Sequence, residues 1–333
     1  MVDAKRWYFR ERPTGKVDAG TFDYRDEILA APSDGEFLLK TLYLSLDATN
    51  RVWISDWDMY MEPVHIGEPM RGFVFGEVIA SRNPLFPVGA YAAGLHSWSS
   101  HIVTDSTNFD IFPALDGIDL ATAFAVLSVA GPTAHIGLFH IGELKAGDTV
   151  VVSGAAGAVG TLVGQIARLA GARVIGIAGG PKKCAMLRDS FGFDAAIDYR
   201  TEDVCQRLGQ LCPDGIDLCF ENVGGAILDA SLANMKDFGR VVICGLIASY
   251  NSSEPVPGPY MFRNLIMRRL TVRGFVVLDH QELMPAAISD LTTWLREGKL
   301  RMLLHMVEGL ESAPEALNLL YSGGNIGKLL VKL

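Results

Sequence analysis

Val150-Val151-Val152-Ser153-Gly154-Ala155-Ala156-Gly157-Ala158-Val159-Gly160 decides the reading of this chain. A run of β-branched residues, Val150 to Val152, suits a strand buried on both faces. A turn of small residues follows. Thr161 to Ala170 then carries apolar side chains at helical spacing until Gly171 stops it. In such a strand–turn–helix, the N–H groups of the turn and the helix N-terminus together make a seat for a pyrophosphate. Ala155 stands at the first glycine position of G-x-G-x-x-G, while Gly157 and Gly160 hold the other two. Small residues alone would serve tight helix–strand packing equally well. The flanking β-α-β pattern is what points to a dinucleotide.

Downstream, Arg173 to Ala178 reads as a second strand, Lys182 to Phe191 as a helix, and Asp194 to Asp198 as a third strand. A helix from Val204 to Leu211, a strand from Ile216 to Phe220, a helix from Ile227 to Met235 and a strand from Arg240 to Cys244 continue the alternation. Repeated β-α units with short connections predict a doubly wound parallel sheet, an α/β fold. Before about residue 120 the pattern differs. Alternating runs such as Glu36 to Leu46 and Gly72 to Ala80, separated by Pro, Gly and Asp, predict a compact, mostly β barrel or sandwich. The tail returns to other material, with a helix at Pro285 to Glu297, the segment Leu300 to Val307 and a last strand at Lys328 to Leu333. The expected division is therefore 1–120, 121–298 and 299–333.

The 333 residues, 49% of them hydrophobic, suffice for two filled cores. A net charge of −9 without any basic block argues against a nucleic-acid partner. Leu120 to Phe139 is the most apolar stretch; Gly131-Pro132 interrupts it, so it reads as two buried helical pieces and not as a membrane span. The N-terminal residues have no apolar signal core, and the expected location is the cytoplasm. Cys184, Cys205, Cys212, Cys219 and Cys244 contain no C-x-x-C pair, so neither a zinc knot nor a redox dithiol is expected.

An NAD site normally carries an acidic side chain at the end of the second strand, about 20 residues past the glycines. Here that place reads Ala178-Gly179-Gly180-Pro181-Lys182-Lys183. Without a carboxylate, repulsion of a 2′-phosphate is gone, and Lys183 can pair with it as a point charge. NADP(H) is the expected cofactor.

Several motifs together resemble the zinc-independent medium-chain dehydrogenases/reductases, and among them the prostaglandin or leukotriene reductases and plant double-bond reductases. They are Ala156 to Gly160, Ala178-Gly179-Gly180 with Lys183, Gly192-Phe193-Asp194, Glu221-Asn222-Val223-Gly224-Gly225, Ile243-Cys244-Gly245, Ser249-Tyr250-Asn251, Gly274-Phe275-Val276-Val277 and Asn325-Ile326-Gly327-Lys328. The resemblance implies a GroES-like β-barrel with an inserted Rossmann domain, and a homodimer, which is also the common oligomer. By similarity, the turn Ala156, Gly157, Ala158, Val159 and Gly160 would hold the pyrophosphate. Gly179, Gly180, Lys183 and Tyr199 would meet the adenosine phosphate end. Asn222, Cys244, Gly245, Phe275, Val276 and Val277 would line the ribose–nicotinamide end, with Asn325 and Gly327 reaching it from the barrel. Asn50, Arg51, Tyr60 and Tyr260 are the candidates for the substrate pocket. Asp47-Ala48-Thr49-Asn50-Arg51 departs from the pattern of many relatives, as does the Trp- and Met-rich loop after Trp53, so substrate identity is not carried over.

Zinc-dependent relatives carry a Gly-His-Glu segment in the region where this chain reads Met70-Arg71-Gly72-Phe73-Val74-Phe75-Gly76-Glu77, with no His-Glu pair, and no cysteine precedes Cys184. Without that ligand set, activation of an alkoxide by a Lewis acid is disfavoured, and no metal is expected. Hydride transfer to an activated alkene remains: an α,β-unsaturated ketone or aldehyde accepts hydride at its β-carbon and becomes an enolate. By resemblance, Tyr250 is the donor to the enolate oxygen. The same tyrosine could equally cap the loop Ser249 to Pro259, with water supplying the proton. Quinone reduction, and a low-turnover NADPH-binding sensor, are the competing functions.

Overall fold

Alternation of apolar and polar side chains builds the strands of the first unit, Met1–Ser128 together with Leu304–Leu333. The structure is a computed structural model and describes residues 1–254 and 256–333. The first segment contributes β1 (Val2–Phe9), β2 (Phe22–Leu29), β3 (Phe37–Leu46), the short helix α1 (Thr49–Val52), β4 (Arg71–Ser81), β5 (Tyr91–Ser97), β6 (His101–Thr104), β7 (Phe109–Ile111) and α2 (Leu120–Leu127). The second unit, Val129–Leu303, holds α3 (Ala130–Ile136), β8 (Thr149–Val152), α4 (Ala158–Leu169), β9 (Arg173–Ala178), α5 (Pro181–Asp189), β10 (Ala195–Asp198), α6 (Val204–Leu211), β11 (Ile216–Glu221), α7 (Gly225–Ala233), β12 (Met235–Ile243), α8 (Asn264–Met267), β13 (Thr271–Gly274) and α9 (Met284–Arg296). The chain then returns to the first unit as β14 (Leu304–Glu308), α10 (Ala313–Ser322) and β15 (Lys328–Lys332).

In the first unit β3 is the organising strand. It pairs along one edge with β4, and along the other with β6 at its start and β15 at its end. The resulting sheet runs β14-β15-β3-β4-β5-β7, with β1 and β2 as a separate antiparallel pair. Phe9, Phe37, Leu44, Trp53, Val74, Trp98, Leu329 and Val331 fill one core, so the returning C-terminus completes the hydrophobic interior of this unit. Trp53 belongs to that core, whereas Trp57 and Tyr60 of the same aromatic loop are 41% and 46% exposed.

The second unit has a wholly parallel sheet in the order β10-β9-β8-β11-β12-β13. Counted within the unit this is 3-2-1-4-5-6, the Rossmann order, whose direction reverses between β8 and β11. Val150, Val151 and Val152 are fully buried, as a strand covered by helices on both faces requires. The architecture is thus a Rossmann sheet inserted in sequence between the two segments of a GroES-like β unit.

Three boundaries differ from the sequence reading. The apolar stretch breaks at Ser128 and Val129, not at Gly131-Pro132, and the division between the units falls at that break. Pro132 lies in the first turn of α3, where a missing N–H costs no helical hydrogen bond. By length and composition Leu120–Ile141 could span a bilayer, but 67% of its most apolar window is buried. Met235 begins β12 instead of ending a helix, because a bulge shifts the register from Ile216↔Met235 to Leu218↔Arg240. Finally, the chain re-enters the first unit at Leu304 and not at residue 299; β13, to which the sequence reading assigns no element, overlaps its Gly274 to Val277 motif only at Gly274.

Candidate active site

Ligands of such sheets sit beyond the carboxyl ends of the strands where their order reverses, here β8 and β11. After β8 the backbone turns through Gly154 and Ala155, and α4 opens at Gly157, which caps it without any side-chain acceptor. The first-turn N–H groups of Ala158, Val159 and Gly160 therefore end at the crevice with no side chain over them. A Cβ on Gly160 would stand 2.4 Å from Gly154 O, so only glycine lets helix and turn approach this closely. This cradle, read in the sequence, fits a pyrophosphate.

Beside it lies a polar staple that the sequence reading missed. The Ser153 hydroxyl donates to Glu221 Oε1 at 2.7 Å, and the same oxygen accepts from Val223 N and Gly224 N, each at 2.7 Å. Asn222 closes the loop: its N donates to Ser153 Oγ at 2.7 Å and its side-chain amide to Ser153 O at 2.8 Å. Cys244 N and Gly245 N donate to Glu221 O, at 2.9 and 3.2 Å, tying in the end of β12. Glu221 is fully buried, and burial raises its pKa despite these donors. A glutamate at the end of an apolar strand, facing a serine at the end of its neighbour, was the available signal.

Burial, and then the Glu221 carboxylate, push the Cys244 thiol up to about 12, so it is a neutral packing group here and not a nucleophile. The Tyr250 hydroxyl oxygen accepts from Leu246 N at 3.0 Å. Within the loop Ser249 to Pro259, Pro255 lies outside the described residues. Among the described residues, Asn251 Oδ1 is a buried oxygen without a hydrogen-bond partner, the kind of atom a ligand hydroxyl satisfies. Phe275 and Val276 are half-buried and Val277 is buried, packed with Ile136 and Ala287.

Past the end of β9, Gly179 and Gly180 lie against Asp198, the last residue of β10, and Tyr199 and Arg200 just after it. Tyr199 is 44% exposed. Lys183 is half-buried, and burial, then the charge of Arg200, lower its pKa. Asp198 entered the sequence reading only as the end of a strand, and Arg200 did not enter it.

The barrel-unit candidates divide. Asn50 is fully buried; its Oδ1 accepts from Asp47 N at 2.7 Å and its Nδ2 donates to Arg71 O at 3.2 Å. Arg51 is buried too and donates to Pro13 O and Gly15 O, at 2.9 and 3.2 Å. Both hold backbone in place. Asn325 is buried and donates to Gly327 O at 3.1 Å, next to a buried Lys328–Asp47 ion pair. Tyr60 Oη meets Thr49 Oγ1 at 2.6 Å and accepts from Trp53 Nε1 at 3.0 Å. Tyr260 belongs to the second unit and is 81% exposed. In the Met70-Arg71-Gly72 segment, Met70 is core and Arg71 donates to Glu62 O at 2.8 Å. Among the described residues no group of three or more His, Cys, Asp or Glu is placed to hold a metal ion.

Comparison with known proteins agrees with this architecture. Residues 5–111 match the family model for the N-terminal domain of oxidoreductase, and residues 158–293 match the one described as zinc-binding dehydrogenase. The NADPH-dependent curcumin reductase of Escherichia coli (strain K12) is 34% identical, over 99% of this chain and 96% of that protein. Prostaglandin reductase 1 of Rattus norvegicus is 37% identical over the full length of both. Among solved structures, CurA from Vibrio vulnificus in complex with NADPH has a TM-score of 0.92 and 38% identity, covering 98% of each chain. The chain belongs to the zinc-independent medium-chain dehydrogenases/reductases.

Proposed function

We propose that the protein reduces the carbon–carbon double bond of α,β-unsaturated ketones and aldehydes with NADPH. One observation carries the reading: an uncapped helix N-terminus and a tyrosine hydroxyl seated on a backbone N–H both belong to the strand ends of a single Rossmann sheet. Full-length similarity to an NADPH-dependent curcumin reductase and a prostaglandin reductase supports it. The Rossmann unit is the NADP(H)-binding domain, and the barrel unit is the catalytic domain.

When bound, NADPH supplies the hydride for the substrate's β-carbon. Ala156 to Gly160 hold the pyrophosphate through N–H groups and the α4 dipole. Gly179, Gly180, Lys183 and Tyr199 take the adenosine phosphate end. Asn222, Cys244, Gly245, Phe275, Val276 and Val277 line the nicotinamide end. The staple of Ser153 and Glu221 keeps Asn222 in one position, which is the entropic part of catalysis. Tyr250 donates its hydroxyl proton to the substrate oxygen as negative charge develops there, and the Leu246 N–H steadies the phenolic oxygen left behind. The enol then tautomerises, its α-carbon taking a proton from water as its oxygen releases one, and solvent reprotonates Tyr250. Within the barrel unit Tyr60 is the aromatic offered to substrate, and Asn50 and Arg51 hold the backbone of neighbouring segments; within the Rossmann unit the corresponding candidate is Tyr260. The types of residue at Met70-Arg71-Gly72 offer no zinc ligand set, so the proposal includes no metal.

We include a homodimer and a cytoplasmic location in the proposal. The outer edge of β13 is the last of its sheet and exposed along its length, and Phe262, Ile266 and Met267 just before it are exposed as well. The five free cysteines suit a reducing compartment. Initial rates of NADPH loss with an enal, an enone and a simple quinone test the function. Turnover of the enal or enone is expected. Reaction with the quinone alone would overturn the role of Tyr250, and no NADPH binding at all would overturn the whole reading.

A further inference from the structure

We propose that Arg200 is a second cation for the cofactor's 2′-phosphate, set beside Lys183, and that Asp198 is its positioning residue. The inference rests on the NADPH reading above and adds to it the groups that choose between NADPH and NADH.

Strand order brings the parts together. β10 lies next to β9, with Asp198 paired to Ala178, so the turn after one strand adjoins the turn after the other. Tyr199 N donates to Ala178 O at 3.1 Å, which continues that pairing past the strand end. Asp198 Oδ1 then accepts from Gly180 N at 2.7 Å and from Arg200 N at 3.0 Å. One carboxylate oxygen thus staples the two turns.

The staple lays Arg200 across the glycines. A Cβ on Gly179 would stand 3.0 Å from Arg200 Nε and 2.8 Å from the Tyr199 ring, so the guanidinium and the phenol both cover a peptide that a side chain would push away. Lys183 follows one turn of α5 later and is half-buried; burial and the charge of Arg200 hold its pKa down. Arg200 stands close enough to disfavour the Lys183 charge, and a dianion bound by both cations would relieve that. A phosphate monoester has the charge and the oxygens to accept from both a guanidinium fork and an ammonium.

Asp198 explains why a carboxylate beside this site does not select a ribose 2′-hydroxyl. In NAD sites the acidic side chain turns to the sugar. Here the oxygen in question is taken up by two backbone donors, which depress its pKa, chiefly the Gly180 N–H. The acid has become scaffolding for a base.

Calorimetric titration with NADPH, NADH, 2′,5′-ADP and ADP tests the assignment, alongside thermal unfolding of each variant. Arg200→Ala is expected to weaken NADPH and 2′,5′-ADP about tenfold or more while NADH and ADP shift less than about twofold, and Arg200→Lys is expected to recover much of the loss. Asp198→Asn retains an oxygen for both N–H groups and should bind 2′,5′-ADP at least as well as the parent. Asp198→Ala should reproduce the loss seen in Arg200→Ala. Equal weakening of NADPH and NADH in Arg200→Ala, or of neither, would overturn the proposal. A parent protein that binds 2′,5′-ADP no better than ADP would overturn the NADPH reading itself.

Discussion

The two ends of the candidate cofactor crevice are built on opposite principles. At the reversal of strand order, Ser153, Glu221 and Asn222 form a polar staple in which Glu221 is fully buried and its Oε1 takes three donors. At the end of β9 and β10, Lys183 stands half-buried and Tyr199 and Arg200 exposed, and the role proposed for the two cations is electrostatic. A buried network fixes geometry because breaking any bond in it strands a group away from water. A half-exposed charge pair selects among ligands but holds little of the fold together. In the proposed site, then, position and selectivity rest on different chemistry.

The sharpest way to break the contrast is Glu221→Ala. It leaves the Ser153 hydroxyl and the Val223 and Gly224 N–H groups without their acceptor, and unfolding in urea should show a loss of about 3 kcal/mol or more. A loss comparable to that of a surface substitution would mean the staple is no more structural than the other end.

Catalysis comes next in size. Tyr250→Phe removes the proposed donor and should lower kcat about 100-fold with a small change in NADPH affinity. An unchanged kcat would leave Tyr250 as a cap on Leu246 N alone. Gly160→Ala, whose Cβ would sit 2.4 Å from Gly154 O, should weaken NADPH and NADH alike, by about tenfold. Lys183→Ala should instead weaken NADPH selectively, by a similar or smaller factor, without affecting urea stability.

The smallest effect is a pH dependence. Burial raises the folded pKa of Glu221 above its ordinary 4.5, so the folded state binds this proton more tightly than the unfolded chain does. Its contribution to stability is complete below about 4.5 and lost as pH rises through the folded value. Glu221→Gln keeps an acceptor for the same donors and carries no charge. Denaturation from pH 5 to pH 8 should therefore show the parent falling relative to Glu221→Gln as pH rises. A constant gap would remove the buried charge from the account.

Much of the fold was legible because its signals are local. Three valines in a row report a strand covered on both faces, and Gly157 and Gly160 report a close approach of helix to turn. The run Arg173 to Ala178 was read with the bounds that β9 has. Harder to read were places where a distant contact overrides local preference. Pro132 looks like a break but sits harmlessly in a first turn, and Met235 looks helical until the bulge against β11 makes it a strand. Asn50 and Arg51 were polar residues near an expected opening. The structure turns both inward to backbone partners, which no spacing along the sequence reveals.

By itself, the sequence determined the class of fold, the cradle from Gly154 to Gly160 and a lysine where an NAD enzyme would carry an acid. Each depends on residues within a turn or two of one another. Tertiary structure alone decided which strand ends adjoin, and so which side chains share a site. Ser153 meets Glu221 because β8 and β11 flank the reversal of strand order, and Arg200 lies over Gly179 because β10 pairs with β9. The physical reason is that hydrogen bonds between parallel strands join segments separated by whole helices, so the partners' identities are written far apart and become neighbours only when the sheet forms.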